Sequence, residues 1–207
     1  SWLLSQLKNL NNGNKVWFPI NTSHITTGTI LELENKGISE LWLCLTPACD
    51  LVPSQAKKRW LGRLGNEHSA FQAVQLFPEA ECTTPKQVKK FQKAINQNEH
   101  IFIKYESTIK ILRFTKDAIS NPVWETFQAL DHGKLSADKT IQIQHLRLTE
   151  LVSNGEEEPK MILSLTKPKT MKAIVELRYE YALNFLQKFG ANQSRVGLDY
   201  ISDLKLS

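Results

Sequence analysis

Cysteine is scarce in this chain, and what there is forms no pattern. Three cysteines stand at positions 44, 49 and 82 of 207 residues. An odd number at those spacings is no disulfide framework, which excludes the stapled secreted scaffolds and argues for a reducing, cytoplasmic setting. Long apolar runs are missing too: none approaches the ~18–20 residues that a membrane-spanning helix needs. The opening Ser1-Trp-Leu-Leu-Ser5 has neither the basic start nor the cleavage pattern of a secretion signal. It also lacks an initiating methionine. The chain is therefore expected to be a piece of something longer, with residues 1–10 read as the tail of a helix from an upstream region and 15–207 as one α+β domain.

Glycine is sparse as well, at nine residues. There is no Gly-rich phosphate loop, no dinucleotide fingerprint and no serine nucleophile elbow. Paired metal carboxylates with a lysine at nuclease spacing are also missing. No cofactor is implied. The composition, 41% hydrophobic and 23% charged, is that of an ordinary globule. This length supports a core without metal or disulfide staples. A net charge of +5 mildly favours an anionic partner, though many proteins with that charge bind none.

What is present is mostly strand signal. After the turn-rich link Asn9 to Lys15, strands are expected over Lys15 to Ile20 and Thr27 to Glu34, then over Glu40 to Thr46 across an Asn35-Lys-Gly37 hairpin turn. Further strands are expected at Ala70 to Phe77, His100 to Glu106, Thr108 to Phe114, Thr140 to Thr149 and Lys160 to Leu165. Asn121 to Gly133 gives no clear period. Thr84-Pro85 opens a basic helix, with Val88, Phe91 and Ile95 on one face. A long helix is expected from about Pro168 to Phe189, closed by Gly190, with Met171, Ile174, Val175, Ala182, Phe185, Leu186 and Phe189 as its stripe. The sum is an α+β plan: a bent, mostly antiparallel sheet or small barrel, a basic helix in the middle and a long C-terminal helix.

Two positions attract chemistry. In Leu41-Trp-Leu-Cys-Leu-Thr-Pro-Ala-Cys-Asp-Leu-Val-Pro53 a buried strand stops at Pro47 and leaves Cys49 and Asp50 at its mouth. Arg178 falls inside the stripe of the expected helix. A buried guanidinium needs a carboxylate or an anionic ligand, and Asp50 is the proposed partner, against simple snorkelling to the surface. Arg195 follows the helix and is expected to fold over the strand ends or to dock another unit. Together Cys49, Asp50, Arg178 and Arg195 form a candidate ligand or partner groove. Cys49 is also a candidate nucleophile, with His24, His68, His100, His132 and His145 as available bases; the ordinary state of a free cysteine is a packed, inert one. A zinc site from Cys44, Cys49, Cys82 and His68 fits no ligand spacing, and strand alternation makes Cys44 a core residue.

Two basic clusters are candidates for nucleic-acid contact. One is the helix face Lys86, Lys89, Lys90 and Lys93; the other is Lys57-Lys58-Arg59 with Arg63, interleaved by Trp60. Solvated faces have the same composition. The acidic run Glu156-Glu157-Glu158 reads as a solvated loop.

Three segments, Cys44-Leu-Thr-Pro-Ala-Cys-Asp-Leu-Val-Pro53, Leu177 to Gly190 and Ser194-Arg-Val-Gly-Leu-Asp199, resemble the C-terminal region of bacterial receiver-domain-containing proteins of anti-phage conflict systems. The middle, Lys57 to Lys167, carries none of the matching motifs. The resemblance implies a signalling or sensing role beside another defence-system subunit or an upstream receiver-like domain, and it supplies no catalytic residue. The expected function is a non-catalytic regulatory or protein-interaction module. The alternatives are a nucleic-acid-binding or nuclease effector using the basic faces, and a Cys49-dependent hydrolase.

Overall fold

A computed structural model describes residues 17–52, 68–79, 100–105, 108–117, 120–151 and 160–189. The described strands are β1 (Trp17–Pro19), β2 (Thr29–Asn35), β3 (Ile38–Cys44), β4 (Ser69–Pro78), β5 (His100–Tyr105), β6 (Thr108–Arg113), β7 (Trp124–Ala129), β8 (Thr140–Leu151), β9 (Lys160–Leu165) and β10 (Lys169–Leu177). Among the described residues one α-helix, α1, covers 179–189.

Six strands close into a barrel in the order β2-β3-β4-β7-β8-β10, because β10 pairs with β2 on one side and β8 on the other. Every pairing is antiparallel. The path is a meander with two excursions: the β5–β6 hairpin between β4 and β7, and β9 between β8 and β10. Closure removes the free edges an open sheet would expose. β1 adds to the second half of β10. The β2–β3 turn holds Lys36 at φ 54° and Gly37 at φ 77°. Two consecutive positive φ values match the twist of a two-residue hairpin.

The sequence period explains the packing. Each barrel strand sends two apolar side chains inward: Leu31 and Leu33, Trp42 and Cys44, Phe71 and Ala73, Phe127 and Ala129, Ile141 and Ile143, Met171 and Ala173. Six strands enclose a narrow bore that side chains fill. Phe71 stacks on Phe127 at 5.2 Å, and Trp42 meets Phe127 edge-on at 5.2 Å. The alternate residues Ile30, Leu41, Leu43, Val74 and Leu76 point outward and are buried by α1 and the β5–β6 hairpin. Phe114 lies 4.7 Å from both Phe185 and Phe189 in this outer layer.

The α+β plan with a long C-terminal helix is therefore overturned. Lys169–Leu177 is a strand, and helix occupies only 179–189. The segment carries both periods: Met171, Ile174 and Val175 suit a helical stripe, while Met171, Ala173, Val175 and Leu177 suit alternation. Barrel closure decides, since without β10 both β2 and β8 would lose a partner. A bulge between Ala173 and Val175 shifts the phase. Before it β10 faces the lumen; after it Val175 and Leu177 join the outer layer. Trp124–Ala129, where the sequence showed no period, is a barrel strand. The remaining strand expectations coincide with β1 to β6, β8 and β9 to within a few residues. The basic helix expected after Thr84 and the helix tail at 1–10 lie outside the described residues.

Candidate functional site at the polar end of the barrel

One end of the barrel is plugged. Three connections, 20–28, 45–52 and 130–139, fold over it and contribute Ile25, Leu51 and Leu135 to the lumen. Backbone bonds knit them: Ile25 N–H donates to Gly133 O at 2.8 Å, Leu135 N–H to Ser23 O at 2.8 Å, and Gly28 N–H to Cys44 O at 2.8 Å. Thr27 Oγ1 donates to Thr46 O at 2.5 Å, and Gln72 N–H to Thr46 Oγ1 at 2.6 Å. Ser136 and Thr140 hydrogen-bond the Asp138 carboxylate and hold it below its ordinary pKa.

The Cys49-Asp50 corner belongs to this plug. Pro47 ends the strand path and a single 3-10 turn, Ala48–Asp50, follows. That turn faces Cys49 and Asp50 to solvent and returns Leu51 to the lumen, 4% exposed. Cys49 is thus exposed, against the packed state expected of it; the Sγ–H group contacts its neighbour Asp50 Oδ1 at 3.7 Å. Cys44, by contrast, is buried, and burial pushes its thiol from 9.0 up to about 12. One thiol inside the bore and one on the surface do not form a shared metal site. Among the described residues no three His, Cys, Asp or Glu side chains gather as metal ligands.

The argument for an Asp50–Arg178 pair also falls. Arg178 sits between β10 and α1, outside the helix whose stripe would have buried it. Its side chain is 35% exposed and its Nε lies 3.6 Å from Glu180 Oε2. The histidines have other neighbours: His24 Nδ1 lies 3.0 Å from Ser23 Oγ and His100 Nε2 3.5 Å from Glu79. His132 occupies a left-handed turn at φ 52°, and His68 is half-buried beside β4. Arg195, Lys57, Lys58, Arg59, Arg63, Lys86, Lys89, Lys90, Lys93 and Cys82 lie outside the described residues.

The opposite end gathers polar groups that sequence reasoning missed. Cross-strand partners share a face, so the register assigns each strand's next inward residue. Glu40 is opposite Leu33, Gln75 opposite Trp42, Glu125 opposite Ala73, His145 opposite Phe127 and Lys169 opposite Ile143. Asn35 continues the inward row of Leu31 and Leu33. Every barrel strand thus ends its apolar row with one polar residue at the same end, and all six are half-buried.

These side chains form two linked groups. Lys169 Nζ donates to Asn35 Oδ1 at 3.4 Å, Asn35 Nδ2 to Glu40 Oε1 at 3.2 Å, and Trp42 Nε1 to Glu40 Oε2 at 3.3 Å. Across the bore His145 Nδ1 lies 3.6 Å from Glu125 Oε1, and its ring sits edge-on to Phe127 at 4.9 Å. Thr166 accepts from His145 N–H at 3.0 Å and fixes the strand below the imidazole. A detectable signal existed: in each strand the polar residue keeps the inward phase of the apolar pair beside it.

No protein-family model, curated protein or solved structure matches the chain. Among the described residues, no helix is long and apolar enough to cross a membrane.

Proposed function

We propose that this chain is a non-catalytic regulatory and protein-interaction module of a bacterial defence or signalling system, with the polar end of the barrel as its partner-facing surface. The supporting observation is the ring itself. Six strands each bring one polar side chain to one end, above a bore already filled by Trp42, Phe71 and Phe127. Small-molecule sites are usually concave pockets of ~300–1,000 Å³; a polar surface over a filled bore suits a partner's surface instead. The defence setting rests on the resemblance of segments 44–53, 177–190 and 194–199.

The test is co-purification of the tagged full-length protein from its own cells, comparing wild type with Gln75→Arg at the polar end and Cys49→Ser at the plugged end. A stoichiometric protein partner lost only with Gln75→Arg is expected. A partner lost equally with Cys49→Ser, or no protein partner at all, overturns the reading.

A second reading, a nucleic-acid-acting effector, draws on exposed Lys36 and Lys167 beside Lys169 at the same end, and on the Glu125–His145 pair, 3.6 Å apart. RNA or DNA retained by wild type and released as salt rises would favour it.

A further inference from the structure

We infer that Lys169 and Asn35 join in an isopeptide bond, formed by the chain itself with Glu40 as the proton carrier and ammonia as the leaving group. This goes beyond the interaction reading and does not depend on it.

Three adjacent strands bring the reacting groups together. β10 pairs with β2 through Met171 and Leu33, and the same register carried on to the strand ends sets Lys169 opposite Asn35. Glu40, on β3, stands opposite Leu33 and so shares the inward face. Lys169 Nζ lies 3.4 Å from Asn35 Oδ1. With a C=O bond of about 1.2 Å, the amide carbon Cγ is then no more than about 4.6 Å from that nitrogen. The other side of the same amide belongs to Glu40, whose Oε1 accepts from Asn35 Nδ2 at 3.2 Å. Its second oxygen is held by Trp42 Nε1 at 3.3 Å. A primary amine at the carbonyl and a carboxylate at the amide nitrogen are the nucleophile and the proton carrier that a transamidation needs. Water is partly excluded: all three residues are half-buried, and Leu33, Trp42 and Met171 beneath them are buried.

The step balances without a co-reactant. Nζ, its ammonium proton given to water, attacks Cγ; the Nζ–Cγ bond forms as the carbonyl pair moves onto Oδ1. Both nitrogens are then bonded to Cγ, so a carboxylate hydrogen-bonded to Nδ2 also reaches Nζ. Glu40 takes one proton from Nζ and delivers it to Nδ2. The carbonyl re-forms, the Cγ–Nδ2 bond breaks, and ammonia leaves with the bonding pair. Glu40 is again a carboxylate, and nothing is oxidised or reduced. Holding amine and amide on paired strands supplies the proximity that lets an unactivated amide react. The product clasps β10 to β2, the pairing that closes the barrel. It spans 134 positions of the chain, and a link over so long a loop restrains the unfolded state.

The test is the intact mass of the full-length protein, followed by peptide mapping, with the folding of every variant checked by circular dichroism. Wild type should be lighter than its sequence by one ammonia, and digestion should yield one branched peptide that carries both Asn35 and Lys169. Lys169→Arg and Asn35→Ala should each have their full sequence mass. Glu40→Gln keeps both linked residues but loses the proton carrier, so its cross-linked fraction should fall at least about tenfold. On a reducing, denaturing gel the looped wild type should run apart from Lys169→Arg. A folded wild type that stays at its full sequence mass through prolonged incubation would overturn the inference. An ammonia loss that survives Lys169→Arg, as ring closure at an Asn-Gly pair would give, overturns it too. Cross-linking of folded Glu40→Gln as complete as in wild type would overturn the part given to Glu40.

Discussion

The two ends of this barrel differ in how their groups are held. At the plugged end, three connections seal the bore with Ile25, Leu51 and Leu135 and are tied by backbone hydrogen bonds of 2.8 Å and by the buried Thr27 and Thr46 hydroxyls at 2.5 and 2.6 Å. At the polar end the ties are between side chains and longer, from 3.2 to 3.6 Å. Short, buried ties hold a connection firmly, whereas longer ties among half-buried side chains compete with water. The six inward polar residues thus stand at the end of the barrel away from the three connections that seal it. Cys49 and Asp50, which looked reactive in the sequence, lie exposed in a turn of the plug. Their turn steers Leu51 into the bore.

The widest separation should appear in thiol reactivity, in a Cys82→Ser background. Cys49 should react with a disulfide reagent at once. Cys44, buried and with its thiol pushed to about 12, should react only through unfolding, slower by about a thousandfold or more. Comparable rates would mean that the bore is not sealed. The same thiol should show in the pH dependence of stability. The unfolded chain ionises Cys44 near pH 9.0 and the folded one near pH 12. Its contribution is therefore fully present below pH 9.0, declines as pH rises through that window, and should vanish in Cys44→Ala.

Substitutions at the plug should come next. Leu135→Ala should cost about 2–4 kcal/mol in urea unfolding. Gly133→Ala should cost about 2 kcal/mol or more, because its φ is +75° and an added Cβ would lie 2.5 Å from Ile25 Cγ2. At the polar end Glu125→Gln should change stability by no more than about 0.5 kcal/mol; a loss of several kcal/mol there would break the comparison. The smallest effect is expected at Arg178. Its pair with Glu180 is largely solvated, so Arg178→Ala should shift stability by less than about 1 kcal/mol, whereas a buried guanidinium bound to Asp50 would have made the loss several times larger.

Much of the strand content was legible. The Asn35-Lys-Gly37 turn between two apolar runs predicts the β2–β3 hairpin, and the alternation from Thr140 predicts β8. Residues 169–177 misled because their apolar positions satisfy both periods, and no break in their alternation announces the bulge between Ala173 and Val175 that moves Val175 and Leu177 to the outer layer. Trp124–Ala129 was opaque because its inward row mixes Glu125 with Phe127 and Ala129. That same mixture hid the candidate site. Asn35, Glu40, Gln75, Glu125, His145 and Lys169 share no motif, and the first and last of them stand 134 positions apart. Each looks like an ordinary polar residue of a strand.

The sequence alone determined which side chains of most strands share a face, because alternation is a local property of extended backbone. It likewise determined where the β2–β3 chain reverses, because Gly37 permits a positive φ. Only the tertiary structure decided that β10 closes a barrel, that the Cys49-Asp50 corner is part of a plug, and that six distant polar residues meet at one end. Those outcomes depend on register between strands far apart in the chain, and a register is chosen by the fit of the whole bore rather than by any segment within it.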